Sequence, residues 1–307
     1  MKNPSKLDPT RTGLIRRAFI AEMRRRIKKL LKAINEFLVI QDALALEPRY
    51  PLQVLAEKEL TVKNELISNV LKREYEFLTN PQKLAAFKRW LRQQIDAEIL
   101  STVDWQGKPW LAKYIESAYK KGAIRAYTDV HAESLAKTPD WYLGSREQFL
   151  RQSFMQPERL SKIQLIYTRA YNSLDGFTKV MDTQLSRILA DGLAFGKGPR
   201  QIASEIRKGV SSMTKQRALM IARTEIINAH AEGQLDSMED LGIEEVGAEV
   251  EWSTAGDEIV CSQCAELEGK TFTIEEARGM IPYHPNCRCA WMPYISEDKK
   301  KLLKKSY

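Results

Sequence analysis

The sequence predicts a mainly α protein, with long helices through its N-terminal and middle regions and a small α+β segment at its C-terminal end. Three observations predict this. Apolar residues recur at helical spacing almost to Gly242, period-two alternation begins only after it, and the four cysteines crowd into one stretch near the end. The 307 residues are 43% apolar, enough for a substantial core, and 29% charged. With 15 Gly and 12 Pro the chain is neither collagen-like nor of low complexity. No run of 18 apolar residues exists, so no transmembrane helix is expected. Met1 leads into Lys2 and Lys6 rather than an apolar region, so a soluble protein folded in a cytoplasm is expected.

The first helix follows from Ile15, Phe19, Met23, Ile27, Leu30, Ile34 and Leu38, which form one stripe, with Thr12 as its cap and Pro48 closing the region. A second helical stretch is read over 51–78, and Pro81 marks the first turn of a third. Segments 104–109 and 138–141 read as loops around a helix over 110–135. Helical periodicity over 157–195 breaks at Phe195-Gly196-Lys197-Gly198-Pro199. Pro199 opens a short helix that Gly209 should end, and Ser211 or Ser212 should cap the next, which stops at Gly242. Val246–Trp252 alternates and predicts a strand, Ile274–Arg278 a short helix, and Cys289–Ile295 a last strand.

The net charge of +8 is concentrated at one end. Residues 1–40 hold eleven Lys/Arg against three acids, and the rest of the chain balances. Arg24, Arg25, Arg26, Lys28, Lys29 and Lys32 lie mostly off the apolar stripe, as a surface for DNA or an acidic protein partner. A solvated helix face explains the same residues equally well. No aromatic interleaves with them, so any DNA contact should be non-specific. A second basic end runs from Lys299 to Lys305.

Cys261-x2-Cys264 is followed by His284-x2-Cys287-x-Cys289, and no cysteine precedes them. Clustering of this kind in a chain without a signal peptide points to a metal rather than to disulfides. Zn²⁺ takes four sulfur or nitrogen ligands in a tetrahedron, and a Cys-x2-Cys turn supplies two. Five candidates compete for the four positions. His284 with Cys287 is the better-spaced second pair, and the alternative is thiols packed as small apolar groups. A closed four-ligand zinc site would be structural, stapling a segment too short to hold a core alone.

Around this cluster the ordered motifs resemble the Mu F-like phage head morphogenesis family. The motifs are Ala222-Arg223-Thr224-Glu225, Ala229, Gly233, Leu241-Gly242-Ile243, Trp252-Ser253-Thr254-Ala255-Gly256-Asp257, Cys261-x2-Cys264, Leu267-Glu268-Gly269-Lys270-Thr271-Phe272 and His284-Pro285-Asn286-Cys287-Arg288-Cys289. The resemblance covers roughly residues 190–295, and Glu268 departs from the usual Asp. It implies a non-enzymatic minor head protein of a tailed bacteriophage, lying in the virion at the portal vertex on the capsid interior, after assembly in the host cytoplasm. It also implies the portal protein as partner, scaffold or major capsid protein as others, and a role in head assembly or in DNA packaging or ejection. Arg223, Thr224 and Glu225 carry over as structural or interaction residues.

The organisation expected is a flexible basic arm over 1–13, a helical region over 14–140, a helical connector over 141–189, the Mu F-like domain over 190–296 and a basic tail over 297–307. The sharpest enzymatic alternative is a zinc-dependent base deaminase, from His230-x-Glu232 with Cys261-x2-Cys264. Against it, Val260 replaces the proline expected before Cys261, and His230 lies mid-helix. Glu249-x-Glu251 with Ser253-Thr254 has the wrong order for an ADP-ribosyltransferase, and His131 reads as a helix-surface residue.

Overall fold

The structure is a computed structural model, and it describes residues 8–46, 79–101, 107–133 and 145–303. The helices are α1 (Gly13–Asn35, continued by a π-turn over Glu36–Ile40), α2 (Asn80–Glu98), α3 (Ala112–Ala132), α4 (Arg146–Met155), α5 (Pro157–Ala194) and α6 (Pro199–Asp240). Beyond them come β1 (Glu249–Ser253), α7 (Ser262–Ala265), β2 (Thr271–Phe272), α8 (Ile274–Ala277), β3 (Ala290–Tyr294) and α9 (Glu297–Leu303). The mainly α class with a small C-terminal sheet is therefore as expected. The helix read over 51–78, the loop over 138–141 and residues 104–106 of the loop over 104–109 lie outside the described residues, as does Pro48.

Contacts divide the chain into two compact units, each assembled from separate stretches. One takes residues 22–101 and 174–217. Its core joins the stripe of α1 (Leu30, Ile34, Leu38) with Phe87, Leu91 and Ile95 of α2, Leu174 to Leu189 of α5, and Ile202, Ile206 and Val210 of α6. Phe37 stacks on Trp90 with ring centroids 4.1 Å apart. Thr79 caps α2 by accepting from the Gln82 N–H, and Pro81 sits in its first turn as expected.

The expected break at Gly209 is absent, because α6 runs through it without interruption. A Cβ at Gly209 would come within 3.1 Å of Ile188 Cδ1 on α5, and one at Gly192 within 2.6 Å of Ile202 Cγ1. These glycines give α5 and α6 room to pack closely, and that packing outweighs the propensity cost of about 1 kcal/mol for a mid-helix glycine. Ser211 and Ser212, expected as caps, are exposed mid-helix residues. The true break is at Gly196, whose φ of 64° is left-handed.

The other unit takes residues 1–21, 102–173 and 218–307. Within the stretch expected as a flexible arm, Asp8–Gly13 is packed: Thr10 and Thr12 are buried, and Arg16 pairs with Asp8 at 2.7 Å. Here α3 and α6 cross backbone against backbone. A Cβ at Gly122 would lie 2.0 Å from the His230 carbonyl oxygen, and one at Gly233 would lie 2.2 Å from that of Tyr119. The antiparallel sheet has the order β2-β1-β3, with Trp252 opposite Trp291. β1 alternates, with Val250 and Trp252 buried, and is shorter than expected because Ile243–Val246 forms a 3-10 turn. The two tryptophan rings meet edge to face at 5.3 Å and carry the core to which Leu235, Ile274, Cys264, Cys287 and Cys289 belong. Truncating either would cost about 3–5 kcal/mol. β2 and α9 were not anticipated: β2 is two residues long, and α9 occupies the start of the expected basic tail.

The glycine crossing yields a paired prediction. Gly233→Ala should lower the denaturation free energy by about 1–3 kcal/mol through overpacking. Gly176→Ala, at an α5 position with open space around it, should raise it by about 0.5–1 kcal/mol. Equal effects in urea titrations would show that the crossing is not tight.

Candidate metal centre

Two tight turns build the cluster. Cys261 precedes α7 and acts as its N-cap, its Sγ accepting from the Cys264 N–H at 3.4 Å, so both sulfurs face one side of a single turn. The second turn is His284-Pro285-Asn286-Cys287, where the Cys287 N–H reaches the His284 carbonyl at 3.1 Å and Asn286 has φ of 67°. Proline followed by an asparagine of positive φ is the type II pattern, and asparagine tolerates that conformation. Cys289 lies immediately before β3.

The turns are drawn together by Arg288, which sits between Cys287 and Cys289. Its two Nη atoms reach the two carboxylate oxygens of Asp257 at 2.6 and 2.5 Å. Asp257 belongs to the loop after β1, so this bidentate pair straps the Cys261 loop to the His284–Cys289 segment. On the strand side, Gly269, with φ of 76°, donates its N–H to the Trp252 carbonyl, and Glu268 Oε2 accepts from the Thr254 N–H at 2.5 Å.

His284 Nε2 lies 3.1 Å from Cys261 Sγ and 3.1 Å from Cys264 Sγ. Its Nδ1 is 2.9 Å from the Pro285 carbonyl. A carbonyl can only accept, so Nδ1 carries the proton and the Nε2 lone pair faces the thiols. Ligand atoms of Cys261, Cys264 and His284 lie within 4.8 Å of one another, as do those of Cys264, Cys287 and Cys289. Cys264 belongs to both groups. With bonds of about 2.3 Å to sulfur and about 2.0 Å to nitrogen, tetrahedral edges are roughly 3.5–3.8 Å. Small side-chain shifts bring these residues there, so the site fits a metal ion.

The thiols differ in character. Hydrogen bonding from Cys289, against the opposing effect of burial, pulls Cys287 down to about 5. That same bond, with burial, pushes Cys289 up, and burial pushes Cys264 up to about 12. The Cys264 N–H holds Cys261 below its usual value. Burial opposes charge on His284, but its bond to Pro285 and the neighbouring thiolates outweigh burial and raise its pKa.

The deaminase arrangement does not assemble in the described groups: His284, not His230, joins Cys261 and Cys264. His230 is wholly buried in α6 and its two ring nitrogens make no hydrogen bond, since the neighbouring Gln234 amide is engaged with the Trp291 backbone. Glu232 accepts from the Gly279 N–H at 3.0 Å. Glu249 and Glu251 project from the partly exposed face of β1. His131 is on the surface of α3, stacked on Tyr127, as expected.

Of the motif residues on α6, Glu225 is buried and accepts from Ser173 at 2.8 Å, with Arg169 at 3.6 Å, while Thr224 Oγ1 is buried without a partner. Arg223 is half-buried. A charge network that the sequence did not disclose seats the C-terminal segment on α6. Asp236 receives Tyr119, Lys162 at 2.5 Å, Arg159 at 2.8 Å and Arg278 at 2.7 Å. Burial works against its charge, but Lys162 and Arg159 outweigh burial and hold its pKa low. Its members are ordinary helix-face residues in sequence, so no motif marks them.

The basic stripe of α1, in the other unit, proves divided. Arg26 is buried and bonds Glu22, the Glu98 carbonyl and Ser101 Oγ, so it is a structural residue and not a contact surface. Arg25 pairs with Glu22 at 2.6 Å and Lys29 with Glu98 at 3.7 Å. Arg24, Lys28 and Lys32 remain exposed, one helical turn apart. In the tail, Lys299 bonds the Gly247 carbonyl at 2.9 Å.

Comparison with known proteins bears on this site directly. Residues 183–292 match the family model described as Phage Mu protein F like protein. The match takes in all of α6, most of the sheet and all the cysteines, in agreement with the resemblance read over 190–295, and supports a phage head-morphogenesis protein. No curated protein and no solved structure matches the chain significantly. No helix among the described residues is long and apolar enough to cross a membrane.

Cys264→Ser should weaken metal binding more than Cys289→Ser, by at least tenfold in a chelator competition, because Cys264 alone belongs to both groups. Equal losses would mean that the groups are not as described. For His230, burial lowers the pKa from 6.5 to about 3. The unfolded chain therefore binds the extra proton first, and stability present above pH 6.5 is lost as the pH falls towards 3. At pH 5 this amounts to about 2 kcal/mol. His230→Leu should flatten the stability profile between pH 7 and pH 5; an unchanged slope would assign the acid sensitivity to other groups.

Proposed function

We propose that the chain is a minor head protein of a tailed bacteriophage, bound to the portal on the capsid interior and acting in head assembly or in DNA packaging or ejection. The observation that carries this reading is the match of residues 183–292 to the Mu F-like model, with the Cys/His cluster inside it. The reading makes the protein a virion component without catalytic function. Its partners are the portal protein, with scaffold or major capsid protein as further contacts and non-specific DNA at exposed basic residues.

Within this proposal the metal is Zn²⁺, held by Cys261, Cys264, His284 and one of Cys287 or Cys289. A sulfur-rich set with one imidazole nitrogen suits zinc among the common divalent ions. Cys287 is favoured as the fourth ligand because it shares a turn with His284, whose carbonyl its N–H reaches at 3.1 Å. With four protein ligands no position is left for water or substrate, so the ion staples the α+β segment and performs no chemistry.

Mass spectrometry of particles assembled with and without portal tests the location. The chain should appear in complete heads and be reduced at least tenfold in portal-less ones. Equal incorporation in both would contradict portal anchoring.

A further inference from the structure

Within the unit that takes residues 22–101 and 174–217, one face of α5 carries an open groove of about 550 Å³. It is lined by Val180, Thr183, Gln184, Arg187, Ile188 and Asp191. These positions recur three or four apart, so they share one helix face. α6 runs beside it at Gly209, where an added Cβ would lie 3.1 Å from Ile188 Cδ1 and 3.6 Å from Gln184 Nε2. Val180 is half exposed in the groove. Arg187 and Asp191, both exposed, pair only loosely at 3.8 Å. Such a surface pair contributes little to stability and can exchange partners.

Phe195 stands at the end of this face, 78% exposed and the most exposed aromatic side chain among the described residues. Its N–H bonds the Asp191 carbonyl at 3.0 Å, so it completes the last helical turn. It follows Asp191 by four residues and Ile188 by seven, which keeps it on their side of the helix. The left-handed Gly196 then turns the chain away, and the Lys197 N–H closes the corner on the Gly192 carbonyl at 2.8 Å. The ring is therefore held out by a closed corner rather than by a loose end.

A ring and a groove on one face, with a cation and an anion between them, make that face complementary to itself. The match appears when two α5 helices lie antiparallel about a two-fold axis midway between Arg187 and Asp191. Arg187 of each copy then faces Asp191 of the other. Phe195 lies about 9 Å along the helix from the axis, and Thr183 lies equally far on the other side. Each ring thus meets the other copy's groove at Thr183, between Val180 and Gln184. We infer that this face of α5 is a docking surface for a second copy of this chain, in an isologous dimer. Two aromatic anchors fill two grooves, and two ion pairs cross the axis. A foreign partner would need a separate match to each feature, whereas a second copy supplies all of them from the same residues. The dimer goes beyond the head-protein reading and does not depend on it.

Sedimentation velocity on the full chain across a concentration series tests this. Wild type should show a monomer–dimer equilibrium. Phe195→Asp should weaken it at least tenfold, with an unchanged melting temperature because the ring is exposed. Arg187→Asp sets like charges across the axis and should weaken it at least threefold, as should Asp191→Arg. The double variant Arg187→Asp/Asp191→Arg should return to within twofold of wild type, because the swap restores both pairs. A wild type that stays monomeric throughout, leaving the groove to another protein, overturns the inference. A dimer that Phe195→Asp leaves intact, or that the double variant fails to restore, overturns it as well.

Discussion

Everything C-terminal to α6 depends on two short turns meeting at His284 Nε2. The ring nitrogen lies 3.1 Å from two sulfurs on one turn, and its own turn supplies Cys287. The sheet they accompany has five residues in β1, two in β2 and five in β3, too few to bury a core independently. It stands because Trp252 and Trp291 fill one face, α6 covers them, and the turns lock the far end. The Asp257–Arg288 pair aligns the turns, leaving the thiols together on the inner side.

The same logic explains why α6 is long and uninterrupted. It faces α3 through Gly122 and Gly233, where only hydrogen fits, and further along it carries Glu225 and the Asp236 network. Buried ion pairs contribute little net stability when compared with apolar packing, but losing one partner leaves a costly buried charge. Asp236, with three cations around it, therefore fixes where Arg159, Lys162 and Arg278 must sit. The segment ending in Arg278 is placed by charge on one side and by cysteine chemistry on the other.

Much of this was legible in the sequence, for reasons that differ by element. The α1 stripe, the β1 alternation and the cysteine spacing are local patterns, and local patterns survive folding. Gly209 resembles a helix stop in sequence, but its role is a close approach to Ile188, and the sequence does not show which helix will face it. β2 is two residues long and has no period to detect, and α9 was read only as a run of charge. Arg26 looked like its neighbours but is consumed by Glu98 and Ser101, more than 70 positions away. Asp257 and Arg288 each stand within a family motif, but 31 positions separate them and nothing local pairs them. The site residues were named by spacing; what aligns them is long-range pairing.

On the proposed reading, the two turns form one metal-held unit rather than a set of packed thiols. X-ray absorption at the zinc edge, on protein purified without added metal, tests it most directly. One zinc should be bound tightly per chain, with three sulfurs at about 2.3 Å and one nitrogen at about 2.0 Å. A fully folded chain without bound metal, or a zinc shell made of oxygen, would contradict it.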